Sequence, residues 1–381
     1  VMHSSPAGRR RAAAIVAAVL TWPLMTTVTP SAAAARPDSD GVVRLTADLD
    51  SSVRSAETTL APGLNRLRTS PYSQVAATWR GTAPQVSVRT APGQPWLELP
   101  PLADGPDRGS VEGTPGVSGT DLLWTGPHTG LDVRVRGTGF TDLELVLIEP
   151  GSLPSDDAPS SARATTSSLR AEERPDSAPE PNLYTRRDWG ANNAWRNGRP
   201  VYLRMLKQVH VHHTATGNRY SRADVPGLIR GMYRYHTKTL GWFDIGYNFL
   251  VDRFGRAWVG RSGGPRRLVR GAHTLGFNHA SVGVAVIGNL ESRRPWDKAV
   301  MKLRRLAAWK LDSRDRRATG KVSVRSSGSD KYADGERVRL PAIDGHRDTN
   351  DTACPGQKLY DRLPGIRRRT QARMDAFSPP D

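Results

Sequence analysis

The sequence predicts an α/β domain with a mixed central β-sheet and flanking helices, preceded by an all-β accessory domain. Three observations carry this. The first half of the chain shows short apolar–polar alternations separated by Pro and Gly clusters. The second half interleaves apolar strand-like runs with segments at helical spacing. Between them, residues 151–182 are rich in Ser, Pro, Ala, Asp and Glu and hold almost no large apolar side chain. A chain of 381 residues accommodates two such domains, each with its own core.

In chain order, residues 1–35 read as an export signal. Arg9, Arg10 and Arg11 precede an apolar stretch at 12–25, and small residues follow at 31–35. The stretch is too short for a comfortable membrane span. The expectation is a secreted protein without stable membrane insertion, exported by either the general or the twin-arginine route. Residues 40–150 show period-two runs at 42–45, 75–79, 85–89, 96–99, 131–136 and 143–147. Turn signals at this spacing predict a β-sandwich. Trp79, Trp96 and Trp124 read as core packing rather than a carbohydrate face. Nothing in this half clusters His, Cys or paired carboxylates, and its ligand stays open. Residues 151–182 cannot bury enough apolar surface to fold alone and read as a linker.

Residues 183–376 read as the α/β domain. Residues 208–214 form a short strand running into a polar turn. Ser221 and Asp224 resemble a capping box ahead of Val225, Leu228, Ile229, Met232, Tyr233 and His236 at helical spacing. Residues 245–251 and 257–259 read as a hairpin turning at 253–255. Residues 281–287 are almost continuously apolar, as expected of a central strand covered on both faces. Pro295 opens a helix carrying Val300, Leu303, Leu306 and Leu311. Residues 322–340 read as a second hairpin, and a short C-terminal helix follows, with Pro364 marking a break.

The net charge of +18 is uneven. Residues 183–381 hold 39 Lys and Arg against 17 Asp and Glu, whereas residues 36–182 hold 13 against 20. A basic region of this kind is either a solvated surface or a match for a polyanion such as nucleic acid or an acidic polymer. No module interleaving basic residues with exposed aromatics is evident, so nucleic acid is not the expected partner.

The single cysteine, Cys354, excludes an intramolecular disulfide framework. It sits in a polar stretch, eight residues after His346. A lone thiol near a histidine is either a metal ligand or a nucleophile. Zinc sites take imidazole nitrogen and thiolate sulfur, and a catalytic site keeps three protein ligands and a water. His346 and Cys354 supply two. Strand alternation puts His210 and His212 on one face and His213 on the other. His212, at the strand's end, is the best third ligand, with His210 supporting it or packing. Asp244 and Asp348 read as turn or supporting groups, since a fourth protein ligand would close the site.

Several motifs, in order, resemble those of one family. They are 187–191 (RDWGA), 211–215 (VHHTA), 241–249 (GWFDIGYNF), 271–278 (GAHTLGFN), 281–289 (SVGVAVIGN), 345–348 (GHRD) and 354–356 (CPG). Together they are similar to the peptidoglycan recognition proteins, a family related to zinc N-acetylmuramoyl-L-alanine amidases and the bacteriophage amidase-type lysozyme. The resemblance runs from residue 183 to the C-terminal helix. It implies an amidase-like fold, with Zn²⁺ held by His212, His346 and Cys354. It also implies Tyr247 and Thr352 as catalytic groups, and His213, His273 and Asn278 at the substrate. The implied reaction cleaves the amide between the muramic lactyl group and L-Ala of peptidoglycan. Tyr247 O–H and Thr352 would meet the oxyanion. No HExxH glutamate is present, which leaves Tyr247, a zinc hydroxide or His213 as the base. Members lacking the cysteine are non-catalytic receptors, so retention of Cys354 implies an enzyme, with a non-catalytic peptidoglycan-binding protein as the alternative. The expected setting is the cell wall, as a monomer, with anionic wall polymers as the match for the basic charge.

Overall fold

The computed structural model describes residues 1–2, 38–48, 51–157 and 177–377, and all statements below concern these. The expected export signal lies outside the described residues apart from residues 1–2, and so does most of the expected linker, at 158–176.

The first half forms strands β1 (Val42–Val43), β2 (Thr46–Ala47), β3 (Arg54–Thr59), β4 (Gly63–Gly81) and β5 (Gln85–Arg89). It continues with β6 (Leu97–Leu99), β7 (Ser118–Gly119), β8 (Leu123–Arg136) and β9 (Phe140–Glu149). They make one sheet in the order β2-β3-β9-β4-β8-β5-β6, with β1 and β7 also paired to β4. One continuous sheet replaces the expected sandwich of two. The cause is β4, which runs for 19 residues through Pro71. That proline falls where the pairing with β8 shifts register between Arg68 and Tyr72, a place where a missing N–H is tolerated.

The far half of β4 and residues 145–148 of β9 are buried on both faces. Alternate residues serve different cores. Val75, Ala77, Trp79, Leu145 and Leu147 line the sheet's own core. Ala76, Val146 and Ile148 face a second core shared with the α/β domain. Trp79 is buried in the first core, and Trp124 packs on the second with its indole N–H donating to the Arg219 carbonyl at 3.2 Å.

The second half builds a six-stranded mixed sheet from β10 (Leu183–Tyr184), β11 (Gln208–His213), β12 (Phe249–Val251), β13 (Ala257–Val259), β14 (Ser281–Val286) and β17 (Ile343–Gly345). Its order is β10-β13-β12-β14-β11-β17, so the apolar run expected to be central is central as β14. The first expected hairpin is β12–β13. The second forms separately as β15 (Lys321–Ser327) and β16 (Asp334–Pro341). Helices α2 (Asp297–Asp312), α3 (Gln357–Tyr360) and α4 (Leu363–Asp375) cover one face, against Val209, Val211, Val282, Val284 and Val286. Pro364 occupies the first turn of α4 and begins that helix rather than breaking it. Its missing N–H lies among the donors that have no intrahelical partner in any case.

Helix α1 (Asp224–Arg234) covers the opposite face. Its start has the expected reciprocal cap, with Asp224 N–H to Ser221 Oγ at 3.2 Å and Ser221 N–H to Asp224 Oδ2 at 2.6 Å. It is buried on all sides because the N-terminal sheet lies on its outer face. Gly231 permits that approach, since a Cβ there would run into the Gln74 side chain. Arg230, 2% exposed, meets both carboxylate oxygens of Asp156 at 2.8 and 2.6 Å.

Candidate metal centre

β11, β14 and β17 run parallel, so their C-terminal ends share one edge of the sheet. Open α/β sheets place ligands at that edge, where side chains leave the sheet and backbone groups turn outward. Val209 and Val211 point into the helix-covered core. By alternation His210 and His212 take the other face. His346 follows β17 directly, on a 3-10 turn spanning His346–Asp348. The next loop brings Cys354 back. Its carbonyl accepts from Arg347 N–H at 2.9 Å, and its sulfur accepts from His213 N–H at 3.4 Å.

One ligand atom each from His212, His346 and Cys354 lies within 4.8 Å of the others. The rings of His212 and His346 are 4.6 Å apart, and His212 Nδ1 is 3.7 Å from Cys354 Sγ. Both nitrogens of His346 are buried without a hydrogen-bond partner. Orphaned imidazole nitrogens beside a buried thiol are costly unless something else satisfies them, and a soft divalent cation fits that donor set. Without a cation, burial disfavours every charged form here. It pushes the His212 imidazole far below its ordinary range and His346 down to about 3, and it raises the Cys354 thiol. The imidazoles are therefore neutral and ready to ligate, while the thiol must give up a proton to do so.

His212 is braced from behind. Its Nε2 meets Nδ1 of His273 at 3.1 Å, which leaves Nδ1 for the cluster. His273 fits there because Gly283 on β14 has no side chain to displace it. Asn278 Oδ1 fixes the turn carrying His273, accepting from the N–H groups of His273 and Thr274 at 2.9 and 3.1 Å. His210 pairs with Asp344, Nδ1 to Oδ1 at 2.6 Å, one step deeper on the same strand face. His213 is turned away, with Nδ1 accepting from Leu290 N–H at 3.1 Å. Tyr247 lies just before β12, its ring 5.4 Å from that of His212. Burial first, and then the nearby Asp104 carboxylate, hold its phenol proton on. Thr352 Oγ1 accepts from Cys354 N–H at 3.2 Å and so shapes the cysteine loop. Asp348 anchors the same turn through Gly345 N–H at 2.8 Å and Tyr360 O–H at 2.6 Å. Asp244 accepts from Arg186 at 2.9 Å and sits outside the cluster, as a supporting group should.

One member of the site has no counterpart in the sequence reading. Asp104, from the N-terminal half, places its Oδ1 3.3 Å from His212 Nδ1 and 3.2 Å from His346 Nδ1. Its Oδ2 accepts the Tyr247 O–H. Burial raises this carboxyl to about 6. The available signal was length. The β6–β7 connection takes residues 100–117, far more than a sheet connection needs, and it carries Asp104, Asp107 and Glu112.

Residues 202–357 match the family model described as N-acetylmuramoyl-L-alanine amidase. Peptidoglycan-recognition protein SA of Drosophila melanogaster is 33% identical over 128 residues, covering 34% of this chain and 60% of that protein. Peptidoglycan-recognition protein SC1a of the same fly is 30% identical over 184 residues, covering 48% of this chain and 84% of that one. The human N-acetylmuramoyl-L-alanine amidase is 34% identical over 188 residues, covering 48% of this chain and 28% of the human protein. The chain belongs to the peptidoglycan-recognition protein and type 2 amidase family.

Proposed function

We propose that the chain is an exported, zinc-dependent N-acetylmuramoyl-L-alanine amidase that hydrolyses the bond between the muramic lactyl group and L-Ala of peptidoglycan. The convergence of His212, His346 and Cys354 within 4.8 Å, beside Tyr247, supports this most strongly. Zinc, when bound, supplies a water acidified to a pKa of about 7 and polarises the scissile carbonyl. The chain's own groups do the rest. His273 holds Nε2 of His212, and with the proton on that nitrogen the ligating Nδ1 is unprotonated. Tyr247 keeps its proton and serves as a donor to the oxyanion that develops on the carbonyl. His213 has its Nδ1 occupied by the Leu290 amide and is held neutral, at about 3, by burial, which disfavours it as the base. Thr352 positions the cysteine loop and offers its hydroxyl beside it.

The test is digestion of purified sacculi by the wild type and Cys354→Ala, with and without chelator. New L-Ala amino termini without new reducing sugar ends are expected, lost on chelation and restored by zinc. New reducing ends instead would identify a glycosidase and end this reading. The same digest, run at rising salt, checks the anionic wall polymer as partner, because binding through the basic region should weaken steeply.

A further inference from the structure

The loop at 100–117 leaves the N-terminal sheet and lies in the mouth of the metal centre. It is pinned along its length. The Gly105 carbonyl and Asp107 Oδ1 accept from Asn278 Nδ2 at 2.9 and 3.0 Å, and Asp107 also meets Gly276 N–H at 2.9 Å and the Arg270 guanidinium. Glu112 takes Arg261 on both oxygens at 2.6 and 2.7 Å and Phe243 N–H at 3.1 Å. Gly113 and Thr114 N–H bond the carbonyls of Gly241 and Leu240 at 3.2 and 2.9 Å. These contacts hold the Asp104 carboxylate, whose side chain is 5% exposed, against the ligand cluster.

The grouped ligand atoms are those of His212, His346 and Cys354, and Asp104 adds a carboxylate oxygen beside its two imidazoles. Tetrahedral zinc with N and O bonds of about 2.0–2.1 Å sets those ligand atoms about 3.3 Å apart, and N and S about 3.6 Å apart. Asp104 Oδ1 is 3.3 and 3.2 Å from the two imidazole nitrogens, and the His212–Cys354 separation is 3.7 Å. Neither Asp104 Oδ1 nor His346 Nδ1 makes a hydrogen bond, despite their closeness. The Asp104 carboxylate thus stands at ligand-to-ligand distance from both imidazoles without being tied up by either. A general base would sit further out, accepting a proton from a metal-bound water, and not at ligand-to-ligand distance from two imidazoles.

We propose that Asp104 is a fourth protein ligand of the metal and that the 100–117 loop is a built-in plug, so that the chain in this conformation is latent. This rests on the zinc-amidase reading above. Four protein ligands close a zinc site, leaving no position for water or substrate carbonyl. Activity on sacculi then requires the anionic wall to draw the loop away, which breaks the Asp107 and Glu112 contacts and frees the Tyr247 hydroxyl, whereas a small soluble muropeptide meets the closed state.

The experiment uses the full chain as wild type, Asp104→Ala and Asp104→Asn, and reads metal binding as well as turnover. Zinc affinity is measured by competition with a chromogenic chelator. The visible spectrum of the Co²⁺-loaded protein is recorded with and without azide. The wild type should hold zinc about tenfold or more tighter than Asp104→Ala. Azide should leave the wild-type cobalt spectrum unchanged and shift that of Asp104→Ala, and the variant should release stem peptide from a soluble muropeptide at least about tenfold faster. Asp104→Asn keeps the acceptor for Tyr247 and guards against a variant that merely misfolds; it too should admit azide. Equal zinc affinity in wild type and Asp104→Ala, or a wild-type spectrum that already responds to azide, overturns the fourth ligand. A slower Asp104→Ala with its metal intact overturns latency. A wild type that binds neither metal sinks the zinc reading itself, an outcome distinct from the others.

Discussion

Gly283 offers a test of the metal centre from a residue that touches no ligand. It lies in the middle of β14, in register with His210 and one strand away from the cluster. A Cβ there would fall 2.7 Å from Nδ1 of His273, and nearer still to Cγ and Cδ2 of the same ring. Ordinary contact needs about 3.5 Å or more, so the ring must shift by close to an ångström. His273 is fully buried and has no free space to take up the shift without cost. Its contact with His212 Nε2, now 3.1 Å, runs through the same Nδ1 that the new methyl crowds and would lose its geometry. Gly283→Ala should therefore destabilise the fold by about 1–3 kcal/mol through overpacking. It should also weaken zinc binding by about 10- to 100-fold, the usual effect of losing a group that orients a ligating histidine.

The assay is zinc competition alongside urea denaturation for Gly283→Ala, His273→Ala and the double variant. The single variants should each weaken zinc binding. The double variant should recover stability, because the smaller side chain makes room for the new methyl, yet gain no zinc affinity over His273→Ala. A Gly283→Ala protein that binds zinc like the wild type would refute the claim that His273 braces His212.

Three further outcomes follow from the geometry. Tyr247→Phe in the Asp104→Ala background should lower kcat on a muropeptide by about 100-fold or more while zinc content stays the same, because there the hydroxyl has no Asp104 to bond and only the donor to the oxyanion is lost. Arg230→Met strands the buried Asp156 carboxylate and should cost about 3–5 kcal/mol in urea denaturation, whereas Arg230→Met with Asp156→Leu should recover most of it. His236 is held near a pKa of about 3, by burial first and then by Arg261, against 6.5 when exposed. Between those values the unfolded chain binds a proton that the folded chain refuses, so stability falls as pH falls, by about 1.4 kcal/mol per pH unit for this group. His236→Asn should flatten the pH dependence of the unfolding free energy from urea titrations by that amount.

The convergence of His212, His346 and Cys354 was legible because it obeys local rules. Parity along β11 decides which histidines share a face, and a polar turn carrying a lone thiol is a poor place to pack one. The capping box at Ser221, the hairpins and the central position of β14 follow from equally local patterns. The misreadings are of the opposite kind. Pro364 looks the same in sequence whether it ends one helix or opens the next, and only the chain before it decides. The continuous N-terminal sheet depends on β4 passing through Pro71 at a register shift, which no period-two count reveals. Helix α1 shows an apolar stripe that explains one face. That its other face, with Gly227, Arg230, Gly231 and Arg234, is also buried depends on a sheet more than 70 residues away in sequence.

Charge is where the structure most changes the reading. The basic α/β region and the acidic segment before it suggested an external polyanion. Five of the 39 Lys and Arg of that region are spent inside the chain on carboxylates of the acidic segment. Arg230 pairs with Asp156, Arg234 with Asp48, Arg261 with Glu112, Arg266 with Glu180 and Arg270 with Asp107, each carboxylate coming from residues 36–182. These arginines are not free to bind a wall polymer in this conformation, so any such binding must draw on the remaining cations. Two of the five, Arg261 and Arg270, hold the loop that carries Asp104. An acidic ligand competing for them would loosen the plug at the two points that keep it in place. The charge distribution and the closed metal centre are on this view one device, in which an anionic substrate would favour the open state by displacing carboxylates that occupy its place.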